Sequence, residues 1–198
     1  MPSPKPFRIY LAGPDVFLRN PVEVGRRKKD LCAAYGFEGV YPFDVEPDGG
    51  DFSKYDRGVQ IGRNNENLIR SCDLILANIT PFRGPSADVG TAYEMGFGRA
   101  LGLVVFAYTN VSPPFTLRTI HWLGQSVQAG AEKRDGNDME VEDFDMVDNL
   151  MLESCIVSSG GSLTTYNAPH AEIFTALAGF ETALQKIKAA YPLGKLPE

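Results

Sequence analysis

A chain of 198 residues, 43% hydrophobic and 22% charged, lies in the ordinary globular range and is long enough to bury one sizeable core. Its formal net charge of -6 offers no electrostatic attraction to nucleic acid, so a small or neutral partner is expected. The opening MPSPKPFRIYLAG lacks a secretory apolar stretch and no run approaches the roughly 20 apolar residues that span a bilayer, which predicts a soluble, cytoplasmic protein with no membrane partner.

FRIYLAG, residues 7–13, is a short β-rich run ending in glycine, as expected of a first strand that empties into a loop at the carboxyl edge of a sheet. Residues 21–35 place Val22, Leu31 and Tyr35 among Arg26, Arg27, Lys28 and Lys29 and stop at Gly36. This pattern reads as a surface helix whose basic cluster is a solvated face. GVYPFDVEPDGGDF gives a short strand and then a loop of turn composition, with Asp44 where the strand ends. Residues 60–70 are helix-compatible, and CDLILANIT is the near-continuous apolar run of a buried parallel strand. A proline-containing loop leads into ADVGTAYEMGFGRALG, a predicted helix, and LVVFAYTN supplies another strand. The charged stretch of about residues 125–145 reads as a surface insertion. Near the carboxyl end, Ile173, Leu177, Phe180, Leu184 and Ile187 recur at spacings of four and three, an amphipathic helix over 168–191 with a stripe for core or subunit contact. Alternating strands and helices predict an α/β fold, a doubly wound parallel sheet in one domain over 1–198. Cys32, Cys72 and Cys155 are scattered without a CxxC pair, and His121 and His170 stand alone. Buried thiols are therefore expected, with no disulfide framework and no metal.

The helix around residue 94 raises the functional question. Asp88 falls in its first turn, with Ser86 as the candidate N-cap, where the helix dipole favours an anion. Glu94 lies among apolar residues and glycines, roughly 9 Å further along the axis and about 120° around it. Two carboxylates so placed can converge on a ligand of sugar size. A buried glutamate paired with an arginine such as Arg99 fits the same pattern, so periodicity alone leaves both readings open. Glycines at 90, 96, 98 and 102 weaken the helix, which suggests close approach to a ligand or a neighbouring backbone.

RIYLAGP (8–14), SADVGTAYEMGFGRALG (86–102) and DNLM (148–151) resemble, in order and approximate separation, the nucleoside 2′-deoxyribosyltransferases. The resemblance spans the chain apart from the charged insertion. It implies an α/β, Rossmann/flavodoxin-like doubly wound sheet with helices on both faces, no cofactor, and exchange of the base of a 2′-deoxyribonucleoside through a covalent glycosyl-enzyme ester. Glu94 would be the nucleophile and Tyr10 the phenol that orients it. Asp88 would bind the 5′-hydroxyl. Asn149 and Met151 would be supplied by an adjacent subunit, so that a homo-oligomer, built on dimers and commonly a hexamer in this family, shares its sites. The partners implied are deoxynucleosides and free nucleobases. Apolar neighbours of Glu94 would leave a ribose 2′-hydroxyl without a partner, so deoxyribose is the preferred sugar.

At one position the chain departs from the family. Members carry an aspartate before the buried strand that meets the base and assists its protonation, whereas counting back from CDLIL gives Asn65, with Glu66 beside it. An asparagine cannot deliver a proton at neutral pH. Either Glu66 takes the role in a shifted register or base protonation relies on water. The loops GPDVF, from Gly13 to Phe17, and PFD, ending at Asp44, are candidate lining for the base, with Phe17 for stacking and Asp15 or Asp44 for polar contacts. Two rivals remain: a hydrolase of 2′-deoxynucleoside 5′-monophosphates, which Asp88 disfavours because a carboxylate repels phosphate, and a nucleoside sensor without turnover. YLAGPDVF holds no GxGxxG, which disfavours a dinucleotide oxidoreductase.

Overall fold

The structure, a computed structural model, describes residues 6–45, 49–124 and 133–192. Five strands, β1 (Arg8–Ala12), β2 (Glu38–Val40), β3 (Leu74–Asn78), β4 (Val104–Thr109) and β5 (Leu163–Thr165), form one parallel sheet in the order β2-β1-β3-β4-β5. The helices are α1 (Pro21–Ala34), α2 (Lys54–Arg70), α3 (Val89–Ala100), α4 (Phe115–Leu123), α5 (Leu150–Ser158) and α6 (Ala178–Ala190). This is the doubly wound arrangement expected from the alternation of elements, with the strand order of flavodoxin-like sheets.

Strand alternation decides which helix meets which residue. Ile9, Leu11, Leu74, Leu76, Phe106 and Tyr108 face one side, where they pack with Cys32 of α1 and Phe180, Leu184 and Ile187 of α6. Tyr10, Ala12, Ile75, Ala77, Val105 and Ala107 face the other, against Leu68 and Ile69 of α2, Met95 of α3 and Leu152 and Ile156 of α5. Tyr10, central in the register between Val40 and Ile75, is thereby aimed at α2 and α3. Gly98 lets α3 lie close to the sheet, since a Cβ there would come within 2.2 Å of Ile75 Cδ1.

Several boundaries differ from the sequence reading. Asp88 itself is the N-cap of α3, accepting from Thr91 N at 3.0 Å, while Ser86 donates its hydroxyl to Asp148. The carboxyl-terminal helix begins only at Ala178, and Ile173 follows a 3₁₀ turn at His170–Glu172. β5, α4 and α5 were not legible as elements. Of the insertion expected at about 125–145, residues 125–132 lie outside the described residues. The remainder is tied down by Thr116 Oγ1 donating to Glu142 O at 2.7 Å and by a hydrogen bond from Phe115 N to Met146 O. Cys32 and Cys72 are buried as expected, and Cys155 is half-buried. No helix among the described residues is long and apolar enough to cross a membrane, and no cluster of potential metal ligands occurs among them.

Candidate active site

Open parallel sheets leave a crevice outside the carboxyl ends of the strands where the winding reverses, here between β1 and β3. A cleft of about 530 Å³ occupies that place. Its lining falls into two parts. Asp88, Gly90 and Glu94 of α3, with Asn64 and Asn65 of α2, form a polar side. Val16, Phe17, Val22, Pro42, Phe43, Val45 and Ile61 form an apolar lobe of the kind that takes a flat heterocycle.

Glu94 is held on the polar side. The buried Tyr10 hydroxyl donates to Glu94 Oε1 at 2.6 Å, and Asn65 Nδ2 donates to the same oxygen at 3.4 Å. These two replace the arginine pairing that spacing had left open. Burial is the main force on the Glu94 carboxyl and raises its pKa from an ordinary 4.5 to about 7; the Tyr10 bond opposes it, nearby Asp88 adds to it, and the Asn65 bond opposes it. Burial, reinforced by the Glu94 charge, drives the Tyr10 phenol far above its usual range, so it remains a hydrogen-bond donor. Both donors bind Oε1 and neither binds Oε2.

Asp88 uses Oδ2 to accept from Thr91 N and, at 3.2 Å, from Thr91 Oγ1. The chain that leads into this cap is pinned by the buried Asp148. Its carboxylate receives Ser86 Oγ, Ala87 N at 3.2 Å and Arg118 Nη2 at 3.2 Å, and Arg118 Nε donates to Pro85 O at 2.8 Å. Burial holds the Asp148 pKa above the usual carboxylate value in spite of these donors.

Of the residues singled out in the sequence, Gly13, Phe17, Asn65, Asp88 and Glu94 line the cleft and Tyr10 reaches it through Glu94. Phe17 is 55% exposed and stacked on Phe82 at 5.2 Å, with the Arg83 guanidinium 5.0 Å from its ring centre.

Two expected base contacts are corrected. Asp15 is 3% exposed and bonded to the equally buried Lys28 at 2.5 Å and to Asn78 Nδ2 at 3.2 Å, behind the cleft wall. Asp44 is bound by Lys29 at 2.7 Å and accepts from Tyr41 N at 3.0 Å, closing its own turn. Lys28 is thus no part of a solvated face. It stands in the buried stripe Val24, Lys28, Cys32 at helical spacing, a signal the sequence carried. A side chain at position 13 would come within 2.7 Å of Asn78 Cβ, so this wall requires glycine.

Glu66, the alternative acid, does not line the cleft; it accepts the Tyr93 hydroxyl at 2.5 Å. The spacing Ile61, Asn64, Asn65 extends the stripe of buried Leu68 and Ile69, which explains why 65 and not 66 meets the cleft. Asn149 and Met151 lie apart from the cleft, on a groove of about 690 Å³ between α3 and α5. There Asn149 caps Met151 N and donates to Glu142 at 2.5 Å, and Met151 is 67% exposed.

The family model for nucleoside 2-deoxyribosyltransferase matches residues 9–151. The uncharacterized protein C191.05c of Schizosaccharomyces pombe is 26% identical over 204 residues, covering 96% of this chain and 93% of its own. A 2-desoxiribosyltransferase from Leishmania mexicana superposes with a TM-score of 0.60 at 27% identity, covering 92% of this chain and 98% of that one. A conserved protein from Enterococcus faecalis shares the fold with a TM-score of 0.52 at 16% identity, over 91% of this chain and 98% of its own.

Proposed function

Because the chain belongs to the nucleoside 2-deoxyribosyltransferase family, we propose that it moves 2-deoxyribose from one nucleobase to another through an ester on Glu94, the whole chain acting as one catalytic unit. The observation that carries this reading is the Tyr10–Glu94 contact of 2.6 Å in the cleft, six residues beyond the Asp88 cap. Glu94 Oε2 attacks C1′ of the sugar as the C1′–N bond breaks, and the electron pair of that bond departs with the base. An oxocarbenium-like transition state is stabilised by the same carboxylate. A second base then attacks C1′ of the ester from the opposite face and frees Glu94, so the anomeric configuration is retained. Tyr10 and Asn65 hold the carboxylate rotamer through both steps. Asp88 accepts the 5′-hydroxyl, and the apolar lobe holds the base.

The proposed subunits share sites. In support, Asn149 and Met151 line the far side of α3 from Glu94 in their own chain, where a second copy can receive them. The reading of the chain as a hydrolase of 5′-monophosphates is weakened because no cleft-lining residue among those described is basic, while Asp88 is acidic.

The test is incubation with a 2′-deoxynucleoside, with and without a second free base, followed by chromatography and intact mass. Base exchange, a deoxyribosyl adduct in the absence of acceptor, and loss of both in Glu94→Ala are expected. Hydrolysis of deoxynucleotides without exchange, or no turnover at all, would refute the transferase reading.

A further inference from the structure

Among the described residues, none at the base end of the cleft has a proton to give. Among the described residues that line it, Asp88 and Glu94 are the only carboxylates and no side chain is basic; Asp88 caps α3 and Glu94 stands on it, both on the sugar side, Glu94 as the attacking group. The lobe facing them is built from Val16, Phe17, Val22, Phe43, Val45 and Ile61, none of which titrates. Glu66 is turned away and bound to Tyr93. What α2 presents beside the nucleophile is Asn65. Its Nδ2 is spent on Glu94 Oε1 and its Oδ1 is buried with no hydrogen-bond partner. The amide orientation follows from its neighbour, since the reverse would set Oδ1 against a carboxylate oxygen. Position 65 therefore presents nothing acidic to an incoming base.

We propose that Asn65 makes departure of the base independent of a protein acid and so selects 2′-deoxynucleosides whose freed base has an acidic ring N–H. The step balances without a donor. The C1′–O bond to Glu94 forms, the C1′–N bond breaks, the base leaves as its anion with that electron pair, and water protonates it. In the second half the acceptor base attacks with a ring nitrogen lone pair and loses its N–H proton to water. Asn65 Nδ2 stays on Glu94 Oε1 and holds the carboxylate for both halves. Electron-poor pyrimidines and purines bearing electron-withdrawing substituents fit this chemistry.

This inference rests on the transfer reading above. The full-length protein would be given two substrate series, 5-substituted 2′-deoxyuridines and 6-substituted purine 2′-deoxyribosides, and base release would be followed in single turnover. In the wild type the rate should climb steeply with N–H acidity, on the order of tenfold per pKa unit of the freed base, because no acid offsets the developing charge. Its solvent deuterium isotope effect should be close to unity. Asn65→Asp places a second carboxyl against Glu94, where one of the two retains a proton. It should flatten the dependence and accelerate the poorest leaving groups by on the order of 10²-fold. Asn65→Ala should be slower yet equally steep. A shallow dependence in the wild type, or a steep one that Asn65→Asp leaves unchanged, overturns the proposal. Base release that is absent from both series, or that survives Glu94→Ala, would instead overturn the transfer reading.

Discussion

Glu94→Gln separates the chemistry of the proposed nucleophile from its cost to the fold. The folded protein lifts the Glu94 pKa from 4.5 to about 7. It therefore holds a proton in a pH range where the unfolded chain has already lost it. Stability is intact below the lower value and is lost as pH rises through the upper one. At about 1.4 kcal/mol per pH unit, that interval corresponds to about 3 kcal/mol withdrawn from the wild type by pH 8. Glutamine keeps an oxygen for Tyr10 and Asn65 but carries no charge, so the variant escapes the loss. Urea denaturation of both proteins between pH 5 and pH 8.5 should show the stability difference moving in favour of Glu94→Gln as pH rises, by 2 to 3 kcal/mol (about 1.4 per pH unit), while base transfer is abolished. A difference that stays constant with pH would refute the placement of Glu94 in a desolvated site.

The same carboxyl should govern rate. The proposed transfer requires the ionised form, so kcat/KM should rise with pH and level off above about 7. Because the Tyr10 bond lowers that pKa, Tyr10→Phe should move the rising limb upward by about one pH unit, read from pH–rate profiles. Lys28→Met leaves Asp15 buried without its cation and should cost about 3–5 kcal/mol in urea denaturation. The double change Lys28→Met with Asp15→Leu should recover much of the loss, and equal destabilisation of single and double variants would contradict the pairing. Gly98→Ala should destabilise by about 1–3 kcal/mol through its clash with Ile75, with partial rescue by Ile75→Val. Gly58→Ala, in open space on α2, should stabilise by about 1 kcal/mol. Thermal melts distinguish these two.

The four strands legible in the sequence announced themselves because parallel strands are buried on both faces, so CDLILANIT and LVVFAYTN read as apolar runs. β5 escaped because it is three residues at the sheet edge with one buried position. α4 runs into the charged segment and α5 follows it with little contrast between its faces, so neither stood out as an element. In the site, Glu94 drew notice as an acid in an apolar helix, and its spacing from Asp88 was visible in the chain itself. Asp15 and Asp44 misled because a loop carboxylate looks the same whether it awaits a ligand or a lysine, and only folding brings Lys28 and Lys29 to them.

Sequence by itself determined the alternation of strands and helices, the motif segments and the residue types available for chemistry, since these depend on local period and composition. Tertiary structure decided the partners. Tyr10 and Glu94 are 84 positions apart and meet because strand alternation turns Tyr10 towards α3. Asn65 and not Glu66 borders Glu94 because the buried stripe of α2 fixes its rotation against the sheet. Period sets which face a residue shares with its neighbours; only packing sets what that face meets.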